Sequence, residues 1–169
     1  MVTDQEMPVA DAVPAKSERE VRRFTALFAK EYPRIVAFAK RRTGDSSAAE
    51  DIAADVFRIA WEQDQTPGSA WLFVTARNLL RNHHRANARL AELHMRLRME
   101  RAAEPSDTDD ALLDAIEKLP ENQRELLLAH YWDGLSGAEC AALVGCSPGS
   151  VWVALHRARA NLRRQLTKG

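Results

Sequence analysis

The sequence predicts an all-α protein made of two small helical domains joined by a flexible linker. Three observations support this. The chain has 169 residues with only 7 glycines and 7 prolines, and alternating β-branched residues are nearly absent. Apolar residues instead recur at steps of three and four. Residues 99–110 interrupt this pattern with a polar, acidic segment that divides the chain into parts of similar size.

The first helix is predicted to begin at Glu18. Residues 1–17 contain acids and prolines without apolar periodicity, so we expect a disordered leader there. The helix ends at the sequence Thr43-Gly44-Asp45. Its apolar residues, which follow the helical repeat, are Phe24, Leu27, Phe28, Ile35, Phe38 and Ala39.

Two further helices follow in the first domain. Ser47 and Glu50 have the spacing of a capping box, which predicts that the second helix begins there. Its predicted buried residues are Ala49, Ile52, Ala53, Val56, Phe57 and Ala60. A break over residues 64–68 then precedes a third helix, predicted over residues 69–90.

The second domain is predicted to end in a helix-turn-helix. A helix before it is broken at Pro120 and resumes through residues 126–132. Ser136 and Glu139 form a second capping box, and Gly145-Cys146 is expected to make a tight turn. Ser147-Pro148 then supplies an N-cap and a proline at the first helical position, which is the spacing of a helix-turn-helix.

The last helix has a buried stripe and an exposed basic face. The stripe consists of Val151, Leu155, Ala158 and Leu162. The opposite face carries arginines, and two aromatic or imidazole side chains, Trp152 and His156, lie towards its N-terminal end. Recognition helices present that end to base edges in the major groove. We therefore assign residues 1–17 to the leader, 18–92 to the first domain, 93–108 to the linker and 109–169 to the second domain.

Several classes of protein are excluded by simple features. The longest apolar runs are too short for a bilayer span and the N-terminus lacks a signal peptide, so we expect a cytoplasmic protein without membrane insertion. Cys140 and Cys146 lack metal-ligand spacing and are expected to be small core residues. His83 and His84 point apart on a helix. We expect no metal and no cofactor.

Charge is banded along a chain whose net charge is zero. Residues 45–64 carry six acids and one arginine, whereas residues 77–98 carry six arginines and one acid. Residues 104–125 carry eight acids and two bases, and residues 157–169 carry five bases and no acid. Such banding indicates separate surfaces for separate partners, with the basic bands as candidate phosphate contacts.

Two motifs resemble those of extracytoplasmic-function sigma factors, a group of bacterial RNA polymerase sigma subunits. The first is GDSSAAEDIAADVFRIAW followed by WLFVTARNLLRNHHRANAR, over residues 44–61 and 71–89. The second is LPENQRELLLAHYWDGLSGAECAALVGCSPGSVWVALHRARANL, over residues 119–162. The resemblance implies that the first domain is region 2 and the second is region 4. It also implies core RNA polymerase and promoter DNA as partners, and an anti-sigma factor as a regulator.

The resemblance also implies three groups of site residues. The residues expected to bind polymerase are Glu50, Asp51, Asp55 and Arg58. The residues expected to read the −10 element are Arg77, Asn78, Arg81, Asn82, Arg85 and Arg89, with Trp71 as either a stacking platform or a core residue. The residues expected at the −35 element are Ser147, Ser150, Trp152, Val153, His156, Arg157 and Arg159. Relatives commonly carry basic residues where Trp152 and Ala154 stand, so a protein partner for Trp152 stays open.

Two other functions can be weighed against an alternative sigma factor. An autonomous helix-turn-helix regulator would bind duplex DNA without polymerase and would use the first domain for dimerisation. A metal-dependent hydrolase would have to use Glu50, Asp51, Asp55 and the histidines. Those acids lie on one helix without a glycine-rich loop, a nucleophile–base pair or ligand spacing. We therefore expect no enzymatic activity.

Overall fold

A computed structural model describes residues 15–95 and 109–167. In these two ranges every regular element is a helix, which confirms the all-α prediction. The helices of the first domain are α1 (Glu18–Thr43), α2 (Ser46–Trp61) and α3 (Ser69–Met95). The helices of the second domain are α4 (Asp109–Glu117), α5 (Glu121–Leu127), α6 (Gly137–Val144) and α7 (Pro148–Leu166).

Residues 15–17, at the end of the predicted leader, lie within the part of the chain that the structure describes. Ser17 is the N-cap of α1 and forms a capping box with Glu20. Lys16 lies over the ring of Trp61, with Nζ 5.2 Å from the centroid, and donates a hydrogen bond to a backbone carbonyl after α2. The rest of the predicted leader, residues 1–14, lies outside the described residues.

The second helix has a different N-cap from the one predicted. Gly44 ends α1 in the left-handed conformation with φ of 69°, and the next residue, Asp45, is the N-cap of α2. The Asp45 carboxylate accepts a hydrogen bond of 2.8 Å from the Ser47 backbone N–H. The predicted capping box of Ser47 and Glu50 is therefore wrong, because an acid two residues earlier already satisfies that N–H.

Aromatic contacts join α1 to α2. Phe24 packs edge-on against Trp61 with ring centroids 4.8 Å apart, and Phe28 packs against Phe57 at 4.9 Å. Phe28 is nevertheless 40% exposed, so the apolar face of α1 extends beyond the core. The α3 side chains buried against these two helices are Leu72, Phe73, Ala76 and Leu80. The helix continues to Met95, five residues past the predicted end and into the predicted linker.

A π-helical turn, which the sequence did not predict, follows α5. Residues 128–132 form this turn directly after Leu127, and the Asp133 N–H bonds back to the Leu128 carbonyl at 3.0 Å. Gly134 then adopts a positive φ of 64°. The turn leaves Tyr131 and Trp132 about half exposed at its end.

The helix-turn-helix forms as predicted. Ser136 and Glu139 make the capping box of α6, and Gly145 ends that helix with φ of 73°. Ser147 is the N-cap of α7 and Pro148 its first residue. Helices α6 and α7 are bent by 82° relative to each other. The stripe of α7 is buried at Val151, Leu155 and Ala158, and Leu162 is half-buried against the core.

The two domains pack directly against each other. Helix α6 lies against α3, and the buried apolar side chains of both domains form one contiguous cluster. The domains are thus distinct along the chain but share a core in this structure. Within the described ranges no single helix has the length and apolar composition to span a bilayer, and α6 with α7 meets that criterion only when the bent pair is taken together.

Candidate functional site

The orientation of the acidic face of α2 is determined by the apolar face on the opposite side of the same helix. Because Ile52, Val56 and Phe57 are buried, the carboxylates four residues apart on the other side point into solvent. Glu50, Asp51, Asp55 and Arg58, the predicted polymerase-binding residues, are all exposed.

Ion pairs occupy only one end of this face. Arg58 contacts Asp55 at 3.3 Å and Glu62 at 3.0 Å, and the hydrogen bond that it donates to Asp55 raises the pKa of the arginine. Among the described residues, neither Glu50 nor Asp51 takes part in an ion pair within 4 Å. The face therefore presents uncompensated negative charge, which suits a basic partner surface.

The predicted −10 residues on α3 divide into two sets. Asn78, Asn82 and Arg85 are exposed. Arg77 is half-buried, and this burial lowers the pKa of its guanidinium. It also donates a hydrogen bond to the Leu143 carbonyl at the end of α6. Arg81 forms an ion pair of 2.9 Å with Glu121 at the start of α5.

Two other predictions for α3 have different outcomes. Arg89 lies in the helix, but its side chain is outside the described residues. Trp71 is half-buried against the core, which supports the core interpretation over a free stacking platform.

The predicted −35 residues share one exposed surface on α7. All seven are exposed: Ser147, Ser150, Trp152, Val153, His156, Arg157 and Arg159. The hydroxyls of Ser147 and Ser150 lie 2.8 Å apart at the helix N-terminus, where the backbone N–H groups of the first turn also point outward. The geometry combines polar groups at the N-terminus with basic groups further along, as a groove-reading helix requires.

Trp152 belongs to an exposed aromatic cluster as well as to the face of α7. Its ring lies edge-on to His130, with centroids 5.5 Å apart, and His130 contacts Tyr131 at 4.9 Å. Trp152 is 59% exposed and Val153 52%. One edge of the indole also faces Gly137 at the start of α6. The π-helical turn and the recognition helix thus contribute to a common apolar surface beside the basic one.

Two ion-pair networks, which the sequence did not predict, join the domains. The first consists of Arg34, Glu31, Ser69 and Glu139 and is called the Glu139 cluster. Arg34 of α1 binds Glu139 of α6 through two hydrogen bonds of 3.2 and 3.3 Å, and binds Glu31 at 2.6 Å. The Ser69 hydroxyl also donates to Glu139. Burial by itself would raise the pKa of Glu139, but the hydrogen bonds from Arg34, Ser69 and the Ser136 N–H outweigh it and lower that pKa to about 2.

A second network, the Asp133 cluster, consists of Arg41, Arg42, Glu125 and Asp133. Arg42 lies 2.7 Å from Glu125 and 2.9 Å from Asp133, while Arg41 lies 2.7 Å from Asp133. The Asp133 side chain is 2% exposed and that of Arg42 is 10% exposed. The Arg42 guanidinium also stacks on the Phe38 ring, 3.6 Å from its centroid. These are buried charges, which require their partners.

The clusters could not have been found by reading the sequence. The arginine–carboxylate pairs that join the two domains in these clusters are 83 to 105 residues apart in the sequence. Glu139 was identified only as part of a capping box, a role that it also has. The one sequence signal was the charge banding. Glu121 and Glu125 of the acidic band bind arginines of α3 and α1, so part of that banding serves a contact within the chain.

The cysteines behave as structural residues. Cys140 is fully buried, and burial raises the pKa of its thiol to about 11. Cys146 is half-buried against the core. In the described parts of the chain, no group of three or more His, Cys, Asp or Glu side chains is arranged to hold a metal ion.

Comparison with known protein families matches both domains. The family Sigma-70 region 2 matches residues 27–90, and the family Sigma-70, region 4 matches residues 109–162. The two matches lie in the order that the motifs predicted, one on each helical domain.

Individual relatives agree with this. The chain is 31% identical over 140 positions to the ECF RNA polymerase sigma factor EcfG of Rhodopseudomonas palustris, covering 77% of each chain. It is 30% identical over 154 positions to the RNA polymerase sigma factor CarQ of Myxococcus xanthus, covering 85% of this chain and 88% of that one. A probable RNA polymerase sigma factor, RfaY of Xanthomonas campestris, is 31% identical, and this chain spans 46% of its length.

Two solved structures have a similar fold. One is the sigma factor RpoE from Bartonella quintana in complex with the anti-sigma factor NepR, with a TM-score of 0.58 and 26% identity over 86% of this chain and 98% of that one. The other is CnrH in complex with the cytosolic domain of CnrY, with a TM-score of 0.59 and 25% identity over 88% of this chain and 90% of that one.

Proposed function

This chain belongs to the extracytoplasmic-function group of RNA polymerase sigma factors, and from that premise we propose that it directs core polymerase to a set of promoters and helps to open them. The chemistry of RNA synthesis would remain in the polymerase, so the chain acts as a non-catalytic subunit. It works in the cytoplasm, where bacterial polymerase and its template DNA are found.

Polymerase binding is assigned to the acidic face of α2. Glu50, Asp51 and Asp55 project from a helix whose other side is buried, so the spacing of their charges is rigid. A rigid acidic face favours association with a basic partner and raises the rate of encounter. The partly paired Arg58 contributes one positive charge at the edge of this surface.

Recognition and melting of the −10 element are assigned to α3. Asn78 and Asn82 offer amide groups that can bond to base edges, and Arg85 offers a guanidinium that can bind phosphate or stack on a base. Arg77 and Arg81 lie on the same helix, and Arg89 is retained as a candidate from the sequence alone. Capturing a base from the stack costs a few kcal/mol, which stacking and edge contacts of this kind can supply.

Recognition of the −35 element is assigned to α7. Trp152, Val153 and His156 lie near the N-terminal half of the helix, where base edges are within reach, and Arg157 and Arg159 are placed for phosphates or bases further along. Ser147 and Ser150 would hold a backbone phosphate at the helix N-terminus.

An anti-sigma factor is the proposed regulator. The similar RpoE structure contains the anti-sigma factor NepR, and the similar CnrH structure contains part of CnrY. Three exposed surfaces that must all meet polymerase or DNA give such a regulator several ways to act by covering one of them. The aromatic cluster around Trp152 and His130 adds apolar area suited to a protein partner.

The observation that carries the proposal is the exposure of the predicted −35 residues on one face of α7, in a chain whose two domains match sigma-70 regions in order. Run-off transcription with core polymerase on a pool of random promoter fragments tests it. We expect discrete new start sites with shared −10 and −35 elements. New transcripts should be absent when either the chain or the core is omitted.

Two other results would point elsewhere. Binding of duplex DNA by the chain alone, without new transcripts, would indicate the autonomous helix-turn-helix regulator. Elution with core polymerase but no transcripts from any fragment would indicate a polymerase-binding regulator.

A further inference from the structure

The N-terminal half of α7 and the turn before it carry no charged side chain and no carboxamide. Between Glu139 and Arg157 the chain contains no arginine, lysine, aspartate, glutamate, asparagine or glutamine. These are the residue types that recognise three of the four bases by hydrogen bonds, since arginine and lysine bind guanine, asparagine and glutamine bind adenine, and acids bind cytosine. The first two turns of the recognition helix therefore lack the usual side chains for reading guanine, adenine and cytosine.

Two large apolar side chains lie at the same end of the helix and are exposed. Trp152 is 59% exposed and Val153 is 52% exposed, although the stripe on the other side of α7 is buried. One turn further along, His156 follows Trp152 and Arg157 follows Val153, so these four side chains share one surface. Exposed apolar groups of this size cost free energy in water and indicate a contact that buries them.

The indole of Trp152 is held in position by other parts of the second domain. Its ring lies edge-on to His130, with centroids 5.5 Å apart, and Nδ1 of His130 lies 3.3 Å from the Leu135 carbonyl oxygen. The Cζ2 edge of the indole faces Gly137 at the start of α6. A side chain that is supported in this way loses less conformational entropy on binding, so its exposed face is suited to a specific contact.

Thymine is the base that offers an apolar group to the major groove. Its C5 methyl group projects from the base edge and is recognised by apolar side chains rather than by hydrogen bonds. A recognition helix places its N-terminal residues against such edges. The exposed arginines further along α7, among them Arg159 and Arg163, can bind backbone phosphates, which position the helix in the groove without specifying sequence.

We infer that Trp152 and Val153 read thymine methyl groups, so that the −35 element of this sigma factor contains thymines at the positions that these two side chains reach. The inference rests on the proposed function and specifies the base chemistry that the recognition helix selects. Because the two residues are neighbours on the helix, the contacted thymines lie close together in the element. Burying one methyl group is worth about a fourfold gain in affinity, which is the preference expected for each methyl group contacted.

Replacing thymine by uracil tests the inference, because it removes the methyl group and leaves every hydrogen-bonding group of the base pair in place. The chain is bound to core polymerase, and the affinity of this holoenzyme is measured by fluorescence anisotropy on a promoter whose −35 element has been identified by run-off transcription. Each −35 thymine is replaced in turn, and we expect at least one replacement to weaken binding about fourfold. The matched control template carries uracil only in the spacer between the two elements and should bind as the unmodified promoter does.

Two alanine variants connect the methyl effect to the named side chains. Trp152→Ala and Val153→Ala should each weaken binding to the thymine promoter and abolish the difference between thymine and uracil at the position that the lost side chain contacts. Trp132→Ala removes an exposed tryptophan of the π-helical turn and should keep the difference seen for the wild type. Circular dichroism verifies the fold of each variant, and Val153→Ala, a small change at an exposed position, decides the test if Trp152→Ala unfolds.

Three results would overturn the inference. These are a −35 element without thymine, equal affinity for the thymine and uracil promoters, and a difference that persists unchanged in both alanine variants. Equal affinity combined with a loss of transcription in Trp152→Ala would assign the indole to a protein partner instead. The absence of −35-dependent transcripts from every fragment would overturn the proposed function together with the inference, and this result is recognised before any uracil template is made.

Discussion

Single residues in this protein serve more than one level of structure, and Glu139 is the clearest case. Its carboxylate caps the N-terminus of α6 through the Ser136 N–H at 2.7 Å, and it binds Arg34 of the other domain. A local helix signal and a long-range contact therefore depend on the same charge. The low pKa of about 2 shows that the folded chain strongly favours the ionised form.

We predict a pH dependence from this shift. The pKa of Glu139 falls from 4.5 to about 2 on folding, so its stabilising contribution is complete above pH 4.5 and is lost as the pH falls through 2. Glu139→Gln should cost about 1.5–3 kcal/mol at neutral pH, because a hydrogen bond to a charged group is lost. The difference in thermal midpoint between variant and wild type should shrink between pH 4.5 and 2, and a constant difference across that range would contradict the assignment.

The acidic face of α2 gives a prediction about polymerase. Asp51→Arg reverses the charge at the centre of an exposed acidic surface, and we expect it to weaken binding to core polymerase by about tenfold, or 1.4 kcal/mol. Binding is measured by anisotropy of the labelled chain titrated with core. Asp114→Arg makes the same change at an exposed acid on α4 and should leave the affinity unaltered. Equal losses in both variants would mean that only overall charge matters.

The exposed face of α7 gives a separate prediction. Arg157→Ala should leave core binding intact and reduce initiation from promoters that require the −35 element, by an amount corresponding to about 1–3 kcal/mol. Run-off transcription on matched templates with and without that element measures it. Arg19→Ala removes an exposed arginine of α1 and is the control. A loss of core binding by Arg157→Ala would refute the division into two surfaces.

Within each helix, the N-cap and the apolar stripe together determine which side chains are exposed. Asp45, Ser136 and Ser147 are the N-caps at which α2, α6 and α7 begin, and the buried apolar residues of each helix then determine its rotation. The π-helical turn over residues 128–132 acts in the same way, because its end brings Tyr131 to the surface beside His130. The predicted surfaces are exposed because the capping residues and the buried apolar residues of these helices are consistent with one and the same arrangement.

The turn between α6 and α7 supplies a prediction about stability. Gly145 has φ of 73°, which costs an L-residue about 1–2 kcal/mol, so Gly145→Ala should lower the free energy of unfolding by about that amount. Gly149 lies inside the first turn of α7 with open space around it, and Gly149→Ala should raise stability by up to about 1 kcal/mol. Chemical denaturation followed by circular dichroism measures both, and changes of equal sign would contradict the backbone argument.

At the scale of the whole molecule, the two domains behave as one packed body. Their buried apolar side chains are contiguous, and the Glu139 and Asp133 clusters cross the boundary between them. Small separate cores are marginal by themselves, so the contact between domains adds a substantial part of the stability of each. A sigma factor needs both of its domains to reach DNA. Because the contact between the domains also stabilises each of them, the stability of the chain and its activity depend on the same contact.

Cooperative unfolding follows from that packing. We predict a single calorimetric transition for the wild type, in which calorimetric and van't Hoff enthalpies agree. Arg42→Gln leaves Glu125 without its arginine and leaves the buried carboxylate of Asp133 with Arg41 alone, so it should weaken the contact between the domains and separate the transition into two. Arg22→Gln breaks an exposed pair within α1 and should keep one transition. Two transitions in the wild type would show that the domains are independent.

The helices, their order and most of the exposed faces follow from the amino-acid sequence alone. Periodicity and capping depend on neighbours three or four residues apart, so the buried stripe of α7 and the turn at Gly145 could be identified without a structure. The same local logic failed at α2, where Asp45 competes with Ser47 for the helix N-terminus. Motif resemblance supplied the family and its two regions.

The contact between the two domains could be identified only from their three-dimensional packing. Arg34 and Glu139 are 105 residues apart and Arg42 and Glu125 are 83 apart, and no local pattern links charges across such distances. The sequence showed alternating charge bands and suggested separate partners for them. The fold instead pairs part of one band with another, because packing α6 against α3 brings acids of the second domain within hydrogen-bond distance of arginines in the first.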